Sequence, residues 1–240
     1  MMTIEDQLLN EIQATLGGAI TPSLTRADPS GLFEGYIFSL ILRAAINEGA
    51  GAPIDYVDVR NNFNPPIFVF RTSPGYIASQ RKAYTYAIIN FPNKPILEAH
   101  IGIRVEGNSG VLHECDVAVL TQEEAERCRR ESAPESPGRA GTWVSPKVSQ
   151  VVLAVECKFY TRANLGLNLA RSFVGLDSDI SSRCDTYFVT NTSSQSVELF
   201  LAEKGKNWFR DVVPTALNDT GLLVNQFQRT FRKFRTLRKW

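Results

Sequence analysis

The run VVLAVECKFY at residues 151–160 constrains the fold more than any other stretch of this chain. Read as a strand, its side chains alternate between faces. Glu156 and Lys158 then share one face, and Val155, Cys157 and Phe159 share the other. Two opposite charges within an apolar strand are costly to bury unless they are paired, metal-bound or open to a cleft. The triplet alone does not choose between these. A chain with 25 acids and 8 lysines in 240 residues yields about 0.8 acid-x-Lys triplets by chance. A satisfied structural Glu/Lys pair is therefore one reading, and a functional site is the other.

The preceding segments bear on that choice. Ile96–Val105 and Val111–Leu120 read as strands joined by Glu106-Gly107-Asn108-Ser109-Gly110, a hairpin with a five-residue loop. Pairing Val105 with Val111 puts Arg104 opposite Leu112, Gly102 opposite Glu114, His100 opposite Asp116 and Glu98 opposite Ala118. One face then carries Glu98, His100, Arg104, Glu114 and Asp116, with open space at Gly102. The other face is apolar except for His113. A slip of one residue would exchange the faces of one strand.

The remaining pattern supplies the order of elements. Ile4, Leu8, Ile12 and Leu16 recur every four residues behind Thr3 and Asp6, which predicts a capped helix over 3–16. A second helical period runs over 30–49 and holds a lone acid, Glu34, near its start. Residues 50–95 change to short β-rich runs punctuated by proline and glycine, read as an inserted ribbon. Residues 121–147 read as a short helix and a mobile loop. After the strand at 148–160 come a helix over 162–176, a strand over 186–191, and helices around 197–212 and 222–239.

An acid opening an apolar strand (Asp116 in CDVAVL), then a strand ending in Glu156-Cys157-Lys158, then an amphipathic helix and a strand, resembles the PD-(D/E)xK nuclease superfamily. The resemblance covers residues 30–191, interrupted at 50–95 and 121–147. It implies an α/β, restriction-endonuclease-like αβββαβ core in a single nuclease domain, with a mixed central sheet flanked by helices. Residues 1–29 precede that core, and helices over 192–240 with a basic tail follow it. The nominal proline of the motif is absent, with Cys115 standing before Asp116. Glu34 matches a glutamate that often joins this family's site from the preceding helix.

The resemblance implies phosphodiester hydrolysis with Mg²⁺ or Mn²⁺, hard cations that prefer carboxylate and carbonyl oxygens. Asp116, Glu156 and the backbone carbonyl of Cys157 would ligate the metal. Glu34 would hold a second cation or the metal's water shell, and Lys158 would orient or deprotonate the attacking water. Glu114 competes with Asp116 as a ligand, and His100 is an auxiliary candidate. DNA is the expected substrate, and an endonuclease of restriction or phage defence the expected role; repair and recombination use the same family. Cutting both strands calls for two sites, which a homodimer would supply. The competing classes are a nuclease fold kept as a non-catalytic nucleic-acid-binding module, and a zinc-stabilised protein built on His100, His113 and Cys115.

Candidate contacts to nucleic acid are Arg162 and Arg171 on the helix after the acid-x-Lys strand, and Arg81 and Lys82 in the ribbon beside Arg71, Tyr84 and Tyr86. Arg232 and Arg235 lie in the tail. The formal net charge of +1 conceals a segregation: the last twenty residues hold 6 basic side chains and no acid, while residues 1–220 hold 20 basic against 25 acidic, a formal −5. A mildly acidic body with a basic tail suits an enzyme acting on a polyanion.

No stretch is apolar enough for a membrane span, because Leu32–Ala45 contains Glu34 and Arg43. The opening MMTIEDQLLNEIQ has acids where an export signal has bases. Four cysteines without a CxxC pair fit reduced thiols, so a cytoplasmic protein is expected.

Overall fold

The structure is a computed structural model and describes residues 2–133, 141–161, 165–181 and 184–237. Its first helix, α1 (Ile4–Leu16), starts with the expected capping box: the Thr3 hydroxyl accepts the Asp6 N–H, and the Asp6 carboxylate accepts the Thr3 N–H. Leu8, Ile12 and Leu16 are its buried stripe. The second helix, α2 (Pro29–Asn47), is capped by Asp28, whose carboxylate accepts the Gly31 N–H at 2.9 Å. Pro29 stands in its first turn, where a missing N–H costs nothing. Thirteen of its residues are buried, so this helix is core on almost every side.

Seven strands form the central sheet: β2 (Asp55–Asp58), β4 (Thr85–Ile89), β5 (Leu97–Glu106), β6 (Leu112–Thr121), β7 (Val151–Lys158), β8 (Asp185–Thr190) and β9 (Trp208–Phe209). They lie side by side in chain order. Pairing is antiparallel from β2 to β7 and parallel from β7 through β9. Parallel neighbours need a crossover. These are supplied by α4 (Leu167–Ile180) between β7 and β8, and by α5 (Gln195–Glu203) between β8 and β9. A separate parallel pair joins β1 (Thr21–Pro22) to β3 (Ile67–Phe68).

Helices cover both faces. One apolar core joins α1, α2 and α6 (Leu217–Thr236) to Leu97, Ala99, Ile101, Val117, Val119 and Val155 of the sheet. On the other face Ala118, Leu120 and Ala154 pack with Ala125 and Cys128 of α3 (Gln122–Glu131) and Ile180 of α4. Phe173 of α4 and Val197 and Leu201 of α5 extend that layer onto Phe188. The chain is thus α/β, with a mixed sheet flanked by helices as the sequence predicts.

Several expectations change. The 50–95 segment supplies β2 and β4 to the central sheet instead of a separate ribbon. The segment read as helix 197–212 ends at Glu203, and its remainder contains the two-residue edge strand β9, too short for a periodic signal. The last helix stops at Thr236, leaving Leu237 at 41% exposure outside the apolar stripe. Of the loop expected within 121–147, residues 134–140 lie outside the described residues.

The hairpin register also differs, by two residues. Val105 pairs with His113 and Glu106 with Leu112, leaving Val111 in the loop at 56% exposure. The cause is long-range: Asp179 of α4 accepts the Ser109 N–H at 2.8 Å and the Ser109 hydroxyl at 2.6 Å, and its carboxylate also meets His113. A two-residue slip preserves faces but changes partners. Arg104 now faces Glu114, His100 faces Ala118, and Gly102 stands across from Asp116, between the pairs Ile101–Val117 and Ile103–Cys115. Gly102 has φ +61°, and the Arg71 stem covers it, so the expected open space is filled.

Candidate active site

The β6–β7 ladder runs from Leu120–Val151 to Val117–Val155, while β7 continues beside β8 as far as Lys158–Thr190. Past Val117 and Val155 no further β6–β7 pair forms, and the β6-facing backbone of β7 needs another partner. Asp116 provides it: its Oδ2 accepts the Cys157 N–H at 2.7 Å. The two backbone polar groups of a strand residue project to the same edge. The Cys157 carbonyl therefore faces the same gap as the Asp116 carboxylate.

Lys158 closes the arrangement. Its Nζ lies 3.3 Å from Asp116 Oδ2 and 2.7 Å from Glu156 Oε1. A cleft of about 460 Å³ opens over these groups, walled by His113 and Glu114 of β6 and by Ser172, Phe173, Gly175 and Leu176 of α4. Glu34 does not line the cleft but approaches from α2, where Phe33 packs on Phe159 with ring centroids 5.5 Å apart.

The charges at this point are in excess of one sign. Burial, and after it the Asp116 carboxylate, raises the Glu34 pKa to about 8, with Lys158 pulling the other way. Burial and then Asp116 also raise Glu156 and Glu114 above the usual carboxylate range. For Lys158 burial favours the neutral amine, but Asp116 and Glu156 outweigh it and hold the pKa above the ordinary lysine value. In this arrangement Lys158 is a fixed cation, suited to orienting water and stabilising negative charge and not to accepting a proton. Burial pushes the Cys157 thiol far up, so only its carbonyl is a candidate metal donor.

No protein-family model, curated protein or solved structure matches this chain. The reading of the site rests on its own geometry and on the family resemblance of its motifs.

The donor set is made of oxygens. Among the described residues no group of three or more His, Cys, Asp or Glu side chains is placed to hold a metal. Mg²⁺ and Mn²⁺ do not require one: Mg²⁺ keeps several waters and is held by one or two carboxylates plus substrate phosphate. Asp116, Glu156 and the Cys157 carbonyl fit that demand, and a cation there would offset both the burial of Glu156 and the Asp116 charge beside it, which together raise Glu156. Zinc is less suited. His100 bonds Glu98 at 2.9 Å and His113 bonds Asp179 at 2.6 Å, each in a different part of the sheet, while Cys115 is buried in the core.

Asp116, Glu156 and Lys158 thus converge as expected, with Glu34 behind them and Glu114 on the rim. His100 does not join them. It is fully buried, stacked on Tyr86 at 4.9 Å, in a cluster with Glu98, Arg129 and Tyr84. Tyr84 and Tyr86 are buried as well, which removes them as base-stacking surfaces. Arg171 is exposed on α4 next to the lining Ser172, and Arg162 lies outside the described residues. Arg81 and Lys82 line a separate pocket.

The tail is further off. Arg232 pairs with Glu48 at 2.5 Å, and Arg235 donates to the Glu48 carbonyl. Glu48 caps the far end of α2, about 20 Å along the helix from Glu34. The expectation of a basic tail beside the site is therefore not met by these two arginines. What the sequence reading missed is the His113–Asp179 pair in the cleft wall. Its only local signal is His113 itself, the single polar side chain on an otherwise apolar strand face.

Proposed function

We propose that this chain is a metal-dependent nuclease of the PD-(D/E)xK type that hydrolyses phosphodiester bonds, with DNA as substrate. The observation that carries the reading is the meeting of Asp116, Glu156 and Lys158 where β6 and β7 part, at the floor of an open cleft. An endonuclease of restriction or phage defence is the proposed role.

Asp116, Glu156 and the Cys157 carbonyl would hold Mg²⁺ or Mn²⁺, which when bound lowers the pKa of water and offsets charge on the phosphate. Lys158 orients the attacking water and stabilises the charge growing on the phosphate oxygens. Asp116 keeps the two strand ends in register through the Cys157 N–H, so the carboxylates and ammonium hold fixed positions. Glu34, with its pKa raised to about 8, stands behind the ligands as a protonated acid at neutral pH, which would ionise to a further carboxylate beside a bound cation.

The test is incubation of supercoiled and linear DNA, and of RNA, with Mg²⁺ or Mn²⁺, comparing the wild type with Asp116→Asn, Glu156→Gln and Lys158→Ala. Metal-dependent cutting that each substitution lowers by about 100-fold or more supports the reading. Absence of cutting with every divalent cation, or equal cutting by the variants, overturns it. One observation favours a second reading, a non-catalytic nucleic-acid-binding module: Lys158 already pairs with both carboxylates. Binding of nucleic acid without cutting would select it.

A further inference from the structure

The loop from Arg71 to Lys82 carries a charge arrangement that the cleft does not use. Arg71 is only 7% exposed. Its Nη1 donates to the Gly102 carbonyl at 3.3 Å, its Nη2 donates to the Tyr76 carbonyl at 3.2 Å, and the Tyr84 ring lies 3.7 Å from the guanidinium. All three partners are neutral. Among the described residues no carboxylate pairs with Arg71, and a guanidinium withdrawn from water without a counter-charge favours an anion beside it. Arg71 lines a pocket of about 190 Å³ together with Ser73, Ser79, Arg81 and Lys82, and among the described residues no acid lines that pocket.

Its position relates it to the cleft. Beyond the end of β4, Gly75 takes the vacant edge of β5: its N–H donates to the Gly102 carbonyl at 2.9 Å, and its carbonyl accepts the Arg104 N–H at 3.1 Å. The loop thus occupies the next strand position outside β5. Gly102 stands across from Asp116, which places the loop two strand spacings, about 10 Å, from β6 at that level. Arg104, which faces Glu114 across the ladder and lies 5.4 Å from the Tyr76 ring, occupies the ground between.

We propose that the pocket formed by Arg71, Ser73, Ser79 and Lys82 is a second phosphate subsite, holding a backbone phosphate of the nucleic-acid strand whose scissile phosphate lies at Asp116, Glu156 and Lys158. The assignment to a strand rests on the nuclease reading; the pocket's affinity for phosphate does not. Positive charge here and carboxylates in the cleft divide the labour: one site grips the backbone without metal, and the other awaits a cation.

The experiment measures binding in the absence of divalent metal, where nothing is cut. A labelled single strand and a labelled duplex are titrated with full-length protein at several salt concentrations, and affinity is read by fluorescence anisotropy. Lys82→Glu and Ser79→Asp change side chains at the pocket rim and leave the buried Arg71 in place, so folding is not at stake. Arg71→Gln is added with its thermal transition recorded. The expected result is a loss of tenfold or more for the rim variants, with the slope of log affinity against log salt falling by about one. Lys204→Ala, at the end of α5 toward the opposite, β9 edge of the sheet, binds as the wild type does. Wild-type affinity and slope in both rim variants overturn the subsite, as does failure of the wild type to bind either strand form at low salt. A second arm titrates inorganic phosphate alone. Saturable binding lost in Lys82→Glu, with strand binding untouched, identifies a free-phosphate pocket and overturns the strand assignment. Pocket-dependent strand binding by a protein that cuts nothing with Mg²⁺ or Mn²⁺ upholds the subsite and removes the nuclease reading instead.

Discussion

Asp116 Oδ2 accepts the backbone N–H of Cys157 at 2.7 Å, so the residue assigned to the metal also repairs the ladder that β6 and β7 leave open. The two roles separate by substitution. Asp116→Asn keeps an oxygen acceptor of the same shape, whereas Asp116→Ala leaves the Cys157 N–H without its partner at a nearly buried position. A buried donor left unpaired costs about 1–3 kcal/mol. The Ala variant should therefore be less stable than the Asn variant by about 1–2 kcal/mol in urea denaturation, while both lose metal-dependent cutting. Equal stability of the two would show that the bond does not hold the strands.

Glu34 predicts a pH effect with a definite sign. Its folded pKa of about 8 lies above the ordinary value of 4.5, so between those values the folded chain keeps a proton that the unfolded chain releases. Stability from this group is fullest below pH 4.5 and falls as pH rises toward 8. Partial exposure of the side chain discounts the effect to the order of 2 kcal/mol. Glu156 and Glu114 shift in the same direction, so the informative quantity is the difference between wild type and Glu34→Gln. Without divalent metal, Glu34→Gln should gain stability relative to wild type between pH 5 and pH 8.5. A constant difference across that range would refute the assignment.

How far the site was legible follows from the range of the forces involved. Alternation along VVLAVECKFY is local, and it placed Glu156 and Lys158 on one face correctly. Helical periods with their caps, Thr3 and Asp6 among them, are local too, and α1 and α2 appear within a residue or two of expectation. The hairpin register was not legible, because Asp179, some seventy residues away, grips the loop at Ser109. Nor was the fate of the basic residues. A run of arginines reads the same whether it meets phosphate or a buried Glu48, and only the packing of α6 on α2 decides. Gly102 looked like open space because glycine signals the absence of a side chain, not the neighbour that fills it.

His100 is predicted to act on stability alone. The Glu98 side chain is 1% exposed and is held by His100 and by Arg129. Removing the cation from a buried pair costs about 3–5 kcal/mol, because the remaining charge keeps its desolvation penalty. Arg129→Met should show a loss of that order, and Glu98→Gln combined with Arg129→Met should recover part of it. His100→Gln should lower the thermal transition while the protein that remains folded cuts at the wild-type rate. A selective fall in cutting rate at unchanged stability would return His100 to the active site.

The Glu48 contact makes the opposite case for the tail. Arg232 is largely exposed, with its side chain at 63%, and an ion pair at such a position contributes about 1 kcal/mol or less. Glu48 at 8% is the partner with more to lose, since it also receives Arg235. Glu48→Ala should therefore destabilise more than Arg232→Ala, which should stay within about 1 kcal/mol of wild type. Because both arginines sit at the end of α2 remote from Glu34, Arg232→Ala should leave strand affinity within about twofold of wild type at physiological salt. A tenfold loss on Arg232→Ala would place the nucleic acid along α6 and require a path over the whole length of α2 to reach Asp116.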